Sequence, residues 1–188
     1  MARAPRLFVV SGPSGVGKGT LVSRVREIRS DLGLTVSATT RQPRPGEVDG
    51  VSYHFLTDED FDRKVEAGEF LEWANVHGHK YGTLRSEAER NLAAGHSVIL
   101  EIDVQGALNV RTVFPDAVLI FIEPPSMEVL EARLRGRGTE DEASLKLRLA
   151  DAAGEMALAE KYDEHVVNDD LEASARRLCA VLDAHEMN

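Results

Sequence analysis

The run Gly12-Pro13-Ser14-Gly15-Val16-Gly17-Lys18 lies between an apolar segment, Leu7 to Val10, and a segment from Lys18 to Arg29 that places Leu21, Val25 and Ile28 at helical spacing. A glycine-rich turn between a buried strand and a helix N-terminus is built to hold phosphate. Glycines let successive backbone N–H groups turn inward around phosphate oxygens, the helix end adds positive potential, and a lysine supplies a point charge toward the β- and γ-phosphates. The strand before and the helix after separate this run from an ordinary glycine-rich turn. One position departs from the usual pattern. Ser or Thr commonly follows the lysine and ligates Mg²⁺, whereas here Gly19 follows it and Thr20 comes one place later.

The rest of the chain supplies the frame that such a loop needs. Leu7 to Val10, Val98 to Leu100 and Val118 to Ile122 are short and branched, as strands buried on both faces tend to be. Between and after them, Lys18 to Arg29, Arg85 to Ala94 and Val104 to Val113 read as helices, so the alternation predicts an α/β fold with a parallel sheet. Ser126 caps a helix to about Arg135, and Thr139 with Glu142 forms a capping box for a long helix toward Tyr162. Gly136-Arg137-Gly138 between them reads as a mobile hinge. His165 to Val167 predicts a last strand, with Asn168-Asp169-Asp170 capping a closing helix from Leu171 to about Ala184. The stretch from about Leu34 to Tyr81 breaks this rhythm and reads as an insertion. It has turn signals at Pro43, Pro45-Gly46 and Asp49-Gly50, strand-like pieces at Ser52 to Phe55 and Phe70 to Val76, and a short helix capped by Thr57.

Composition narrows the function classes. At 188 residues and 43% hydrophobic content one core with attached lobes is expected. A net charge of -10 argues against general affinity for nucleic acid or anionic lipid, so a polyanion must meet a local basic patch. The apolar run after Arg3 and Arg6 is too short for a signal peptide, no stretch suits a bilayer, and Cys179, the single cysteine, reads as a core thiol. A soluble cytoplasmic protein is expected.

Two carboxylates follow the second apolar run, in Glu101-Ile102-Asp103, where strand alternation puts both on one face at the ligand-binding end of an open α/β sheet. They suit Mg²⁺ held through water and an oriented acceptor; alternatively Asp103 caps the helix that follows. Arg133, Arg135, Arg137 and Arg148 concentrate positive charge in an acidic chain, as a group that closes over transferring phosphate would. Arg135 by itself reads as a solvated helix residue. His77 and His79 lack a third ligand at zinc spacing.

Several blocks together resemble guanylate kinase over essentially the whole length: Gly12-Pro13-Ser14-Gly15, Ser37 to Glu47, Glu69-Phe70-Leu71-Glu72-Trp73, Tyr81-Gly82-Thr83 and Asn168-Asp169-Asp170. The resemblance implies a P-loop kinase fold in a single domain. A central parallel sheet flanked by helices would form a core of about 1–33, 84–135 and 150–188, with an inserted mixed α/β GMP-binding lobe at about 34–83 and a small arginine-rich lid at about 136–149. It implies transfer of the ATP γ-phosphoryl group to GMP or dGMP with Mg²⁺. Gly12, Pro13, Ser14, Gly15, Val16, Gly17, Lys18, Gly19, Thr20, Arg133, Arg137 and Asn168 would hold ATP, with Asn168 either an adenine contact or a turn residue. Ser37, Arg41, Arg44, Tyr53 and Tyr81 would hold the GMP phosphate, and Glu72, Thr83 and Asp103 would address guanine. Lys18, Arg44, Arg137 and Arg148 would be catalytic, and Glu101 and Asp103 would face the metal.

The chemistry of these residue types agrees with that division. Guanidinium forks match phosphate oxygens, and a carboxylate at Glu72 accepts from both guanine N1–H and the exocyclic amine, donors that adenine lacks on that edge. Phe70 and Trp73 read as core or wall residues. A guanylate-kinase-like interaction module would be expected to carry a damaged phosphate loop, which this chain does not. A regulatory GTPase would need an Asn-Lys-x-Asp motif. Adenylate kinase shares Gly-Lys-Gly-Thr but not the Ser37 to Glu47 block with Glu72.

Overall fold

Every residue of the first strand, β1 (Leu7–Ser11), is buried, because the strand lies inside a sheet covered on both faces. In this computed structural model, which describes residues 4–76, 78–136 and 142–187 apart from the side chains of Val76 and Ala143, β1 pairs in parallel with two strands. These are β6 (Val98–Glu101) on one side and β7 (Val118–Glu123) on the other. A fourth parallel strand, β8 (Glu164–Val167), extends the order to β6-β1-β7-β8. Successive side chains alternate between two cores, as the pleat requires. Phe8, Val10, Ile120 and Ile122 meet the helices α1 (Lys18–Ile28), α5 (Met127–Arg135), α6 (Glu142–Met156) and α7 (Leu171–Met187). Leu7, Val9, Leu119 and Phe121 meet α4 (Val104–Val113) and Ala88 of α3 (Arg85–Ala93). Each large apolar side chain buried this way contributes about 1.5–3 kcal/mol.

The inserted stretch forms a second, mixed sheet ordered β3-β2-β5-β4, from β2 (Ser37–Thr39), β3 (His54–Phe55), β4 (Phe70–Val76) and β5 (His79–Leu84). Its own small core holds Phe61 and Phe70, stacked at 4.4 Å, and is closed by α2 (Asp58–Glu66). Thr57 caps α2 by accepting the Asp60 N–H at 3.0 Å, as its spacing predicts. The strand expected from Ser52 shrinks to His54–Phe55, and β5 is an addition to the sequence reading. Gly82 interrupts the apolar signal of β5 for a packing reason: a Cβ there would lie 2.7 Å from the Glu72 carbonyl and 2.9 Å from Trp73 Cβ.

The helix expected to run toward Tyr162 stops at Met156. A 3₁₀ turn at Ala159–Lys161 follows, and Tyr162 packs edge-on against Phe121 at 4.9 Å. Burial of that ring under the sheet breaks the helical path. Thr139, and with it the expected capping box, lies outside the described residues, as do Arg137 and His77. Asp170 accepts the Ala173 N–H at 2.9 Å at the start of α7, and Cys179 is buried. Among the described residues no helix is long and apolar enough to cross a membrane.

Candidate active site

The phosphate loop joins β1 to α1 through three glycines with positive φ: Gly12 at 143°, Gly15 at 85° and Gly17 at 95°. At Gly12 a Cβ would sit 2.3 Å from the Ile122 carbonyl, so the turn accepts no larger residue without moving β7. Gly17 occupies the N-cap position of α1, where no side chain caps the helix, and the first-turn N–H groups remain available to an anion. Lys18 curls back over the loop, donating from Nζ to the Gly12 carbonyl at 2.6 Å and the Pro13 carbonyl at 3.1 Å.

The back of the loop is braced by two residues that the resemblance assigned to ATP. Asn168 is buried, and its Nδ2 donates to the Val16 carbonyl at 2.8 Å. Arg133 donates from Nη1 to the same carbonyl at 3.0 Å and from Nη2 to the Asn168 carbonyl at 2.8 Å. Backbone oxygens turned away by the glycine-rich path need donors, and these two side chains supply them. One of the two side-chain donors of Asn168 is thus used on the loop.

At the end of β6, Glu101 and Asp103 line a cleft of about 330 Å³ together with Gly12, Ser14, Lys18, Ile102 and Glu155. Asp103 also caps α4, accepting the Gly106 N–H at 2.7 Å through Oδ1. The two readings of Asp103 are thus compatible, since a carboxylate has a second oxygen. Among the described residues no group of three or more His, Cys, Asp or Glu is arranged to hold a metal by itself. Sequence reasoning missed Glu155. Its carboxylate comes from the last turn of α6, and the only available signal was its spacing of seven residues from Arg148, which keeps both on one helix face.

In the second sheet, strand register brings together three of the residues that the resemblance assigned to GMP. Ser37 pairs with Thr83, and Thr83 with Glu72, so three polar side chains from β2, β5 and β4 stand in a row. Thr83, 4% exposed, donates its hydroxyl to Glu72 Oε1 at 2.8 Å. Burial pushes the Glu72 carboxyl above the ordinary range, the Thr83 hydrogen bond opposes this, and the Asp103 charge adds to the rise. Asp103 therefore acts on Glu72 across the space between the two sheets.

Arg41 lies over the Tyr53 ring, 5.4 Å from its centroid, and Tyr53 stands edge-on to Tyr81 at 6.1 Å. The Arg41 guanidinium is held by Glu47 at 2.8 Å, which raises its pKa further, and Glu47 also accepts the Arg44 N–H at 2.7 Å. Glu47 is a second residue whose role the sequence did not announce. Arg44 is exposed beside it, and Arg148 is half-buried on α6. Arg135 is exposed and paired with Glu131 at 2.9 Å and with Glu142 at 2.5 Å, as a solvated helix residue would be. Phe70 is buried, whereas Trp73 is 43% exposed and forms an outer wall against Phe61.

A phosphate loop facing a polar three-strand row is an arrangement for two nucleotides, and the guanylate kinase family model matches residues 4–185. The chain belongs to the guanylate kinase family. It is 51% identical over 178 residues to the guanylate kinase of Synechococcus sp. (strain CC9902), covering 95% of each chain. To that of Synechocystis sp. it is 49% identical over 181 residues, covering 96% of this chain and 95% of the relative. The crystal structure of guanylate kinase from Anaplasma phagocytophilum superposes with a TM-score of 0.71 at 36% identity, covering 99% of this chain and 88% of that one. A gluconokinase from Sinorhizobium meliloti 1021, at 20% identity and a TM-score of 0.54, shares the fold alone. This family member keeps the parallel sheet flanked by helices and the mixed second sheet that the sequence predicted.

Proposed function

We propose that the protein catalyses reversible transfer of the ATP γ-phosphoryl group to GMP, with dGMP as a second acceptor, giving ADP and GDP in the cytoplasmic supply of guanine nucleotides. The observation that carries this reading is the Glu72–Thr83 pair, fixed at 2.8 Å on adjacent strands. With its hydroxyl proton given to Oε1, Thr83 leaves its own lone pairs and the second Glu72 oxygen, Oε2, as acceptors. A guanine edge presents two donors, N1–H and N2–H, and an adenine edge does not match them.

Ser37, Arg41, Arg44, Tyr53 and Tyr81 would hold the GMP phosphate, which takes the position toward Arg41 that Glu47 now serves. The Gly12–Thr20 loop cradles ATP, with Arg133 and Asn168 bracing it and Arg137 and Arg148 approaching the transferring group. A GMP phosphate oxygen attacks the γ-phosphorus in line, and the bridging oxygen departs with ADP. Lys18 and the arginines neutralise charge that spreads over the equatorial oxygens, so catalysis rests on alignment and electrostatics. Closure of the 34–83 lobe over the core limits attack by water.

The donor set fits Mg²⁺. Glu101 and Asp103 offer hard oxygens beside Lys18, and the backbone at Gly19 leaves space in front of the Glu101 carboxylate. Bound there with ATP, the ion would neutralise β- and γ-phosphate charge; Glu101 and Asp103 would orient its waters. A coupled assay of ADP release with GMP, dGMP, AMP and UMP tests the whole reading: the guanine nucleotides should be strongly preferred, and no GDP from saturating ATP, GMP and magnesium would overturn it.

A further inference from the structure

One carboxylate in the phosphate cleft has no part in the phosphoryl transfer just described. Glu155 lines the same cleft as Ser14, Lys18 and Asp103. Burial raises its pKa; the Lys18 charge and the Ser14 backbone N–H, which it faces, work against that rise, and Asp103 and Asp151 add to it. An acid placed partly out of water beside two like charges destabilises the fold unless the position serves a purpose.

Its two favourable neighbours identify that purpose. The Ser14 N–H belongs to the amide nest, and Lys18 is the point charge of the loop; both are donors that polyphosphate oxygens use. A carboxylate set against them presents the same charge sign and the same acceptor chemistry as a phosphate oxygen. Arg148 lies seven residues earlier on α6, near two full turns, so one helix face carries both an anion and a cation. Incoming phosphate, which carries the same charge sign as the Glu155 carboxylate, repels it.

We propose that Glu155 is a built-in competitor of the triphosphate: its carboxylate answers the Ser14 amide and Lys18, ATP displaces it, and the position of α6 is thereby coupled to ATP occupancy. Glu155 is a positioning residue, and its role rests on the reading of Gly12–Lys18 as the triphosphate cradle.

The test is calorimetric titration of the full chain with inorganic tripolyphosphate and with ATP, each with and without Mg²⁺, in Glu155→Gln and in Asp151→Asn. The second variant makes the same charge change on an exposed position of the same helix. Glu155→Gln should bind both polyphosphates about three- to tenfold tighter, the scale of one screened unit charge at close range, with or without metal. GMP affinity should be unchanged, and Asp151→Asn should shift polyphosphate binding less than twofold. Hydrogen exchange of residues 142–156 should respond to ATP in the wild type and respond less in Glu155→Gln. Unchanged or weaker polyphosphate binding in Glu155→Gln overturns the proposal, as does equal tightening in Asp151→Asn, an effect confined to the metal-loaded titrations, or α6 exchange that ignores ATP. Should Glu155→Gln fail to fold, Glu155→Asp withdraws the carboxylate by one methylene and carries the same test. Failure of the wild type to bind tripolyphosphate would instead defeat the cradle itself, a result the wild-type titration shows separately.

Discussion

A Cβ at position 19 would lie 3.4 Å from both carboxylate oxygens of Glu101, so the residue that follows the P-loop lysine and the acid at the end of β6 share one space. Where related loops put a hydroxyl, this chain puts a glycine facing a carboxylate. Glu101→Gln should therefore raise the Mg²⁺ concentration for half-maximal turnover by about tenfold, the scale of one charge-assisted contact. In a Gly19→Ser background the same change should matter less, because the new hydroxyl takes over part of the contact. Titration of Mn²⁺·ATP by electron paramagnetic resonance reads this without turnover; equal Glu101→Gln effects in both backgrounds would show that the two positions act independently.

Glu72→Gln should lower kcat/KM for GMP by about 10- to 100-fold, the loss expected when a charged acceptor becomes a donor facing donors. The same variant should be more stable than the wild type at neutral pH. Burial raises the Glu72 pKa in the fold, so its contribution is favourable below the unfolded carboxyl pKa and is lost as pH rises through the folded one. Thermal melts across pH should show that dependence flattened in the variant. For the wild type, KM for GMP should rise on acidification earlier than a surface glutamate would allow.

Asn168→Ala removes the buried donor to the Val16 carbonyl and should cost about 1–3 kcal/mol of stability, with KM for ATP raised more than KM for GMP. Arg133 reaches the same carbonyl, so the double variant should lose less, or more, than the sum of the two singles. Additive denaturation free energies would mean that the two braces act separately.

Lys18→Met should reduce kcat by at least about 10²–10³-fold, the cost of removing one preorganised charge from the transferring group. Circular dichroism should be unchanged, because what the side chain gives up within the protein is its contacts with two loop carbonyls and nearby groups. Near-normal turnover would remove Lys18 from the mechanism.

The parallel sheet was legible because β1, β6 and β7 each carry an uninterrupted apolar run, and the phosphate loop because glycine spacing and its strand–helix context reinforce one another. β5 was not, since the residues that make it useful, Tyr81 and Thr83, are polar and flank a glycine needed for close packing. Asn168 and Arg133 were singled out as ATP contacts, and only coordinates reveal that both side chains grip the rear of the loop at the Val16 carbonyl. Glu155 and Glu47 escaped notice because isolated glutamates in a chain with 32 acidic residues carry no local mark; proximity to Ser14 and Arg41 is a product of folding.

The pairing of Ser37 with Thr83 and of Thr83 with Glu72 also limits how relatives of this chain can vary in length. Side chains on a strand alternate, so an insertion or deletion of one residue within β5 would rotate Gly82 into the row and turn Thr83 to the far side. Length changes can accumulate in the turn at Gly78, whose φ of +83° marks a bend with open space around it, while the strand beyond must keep its count.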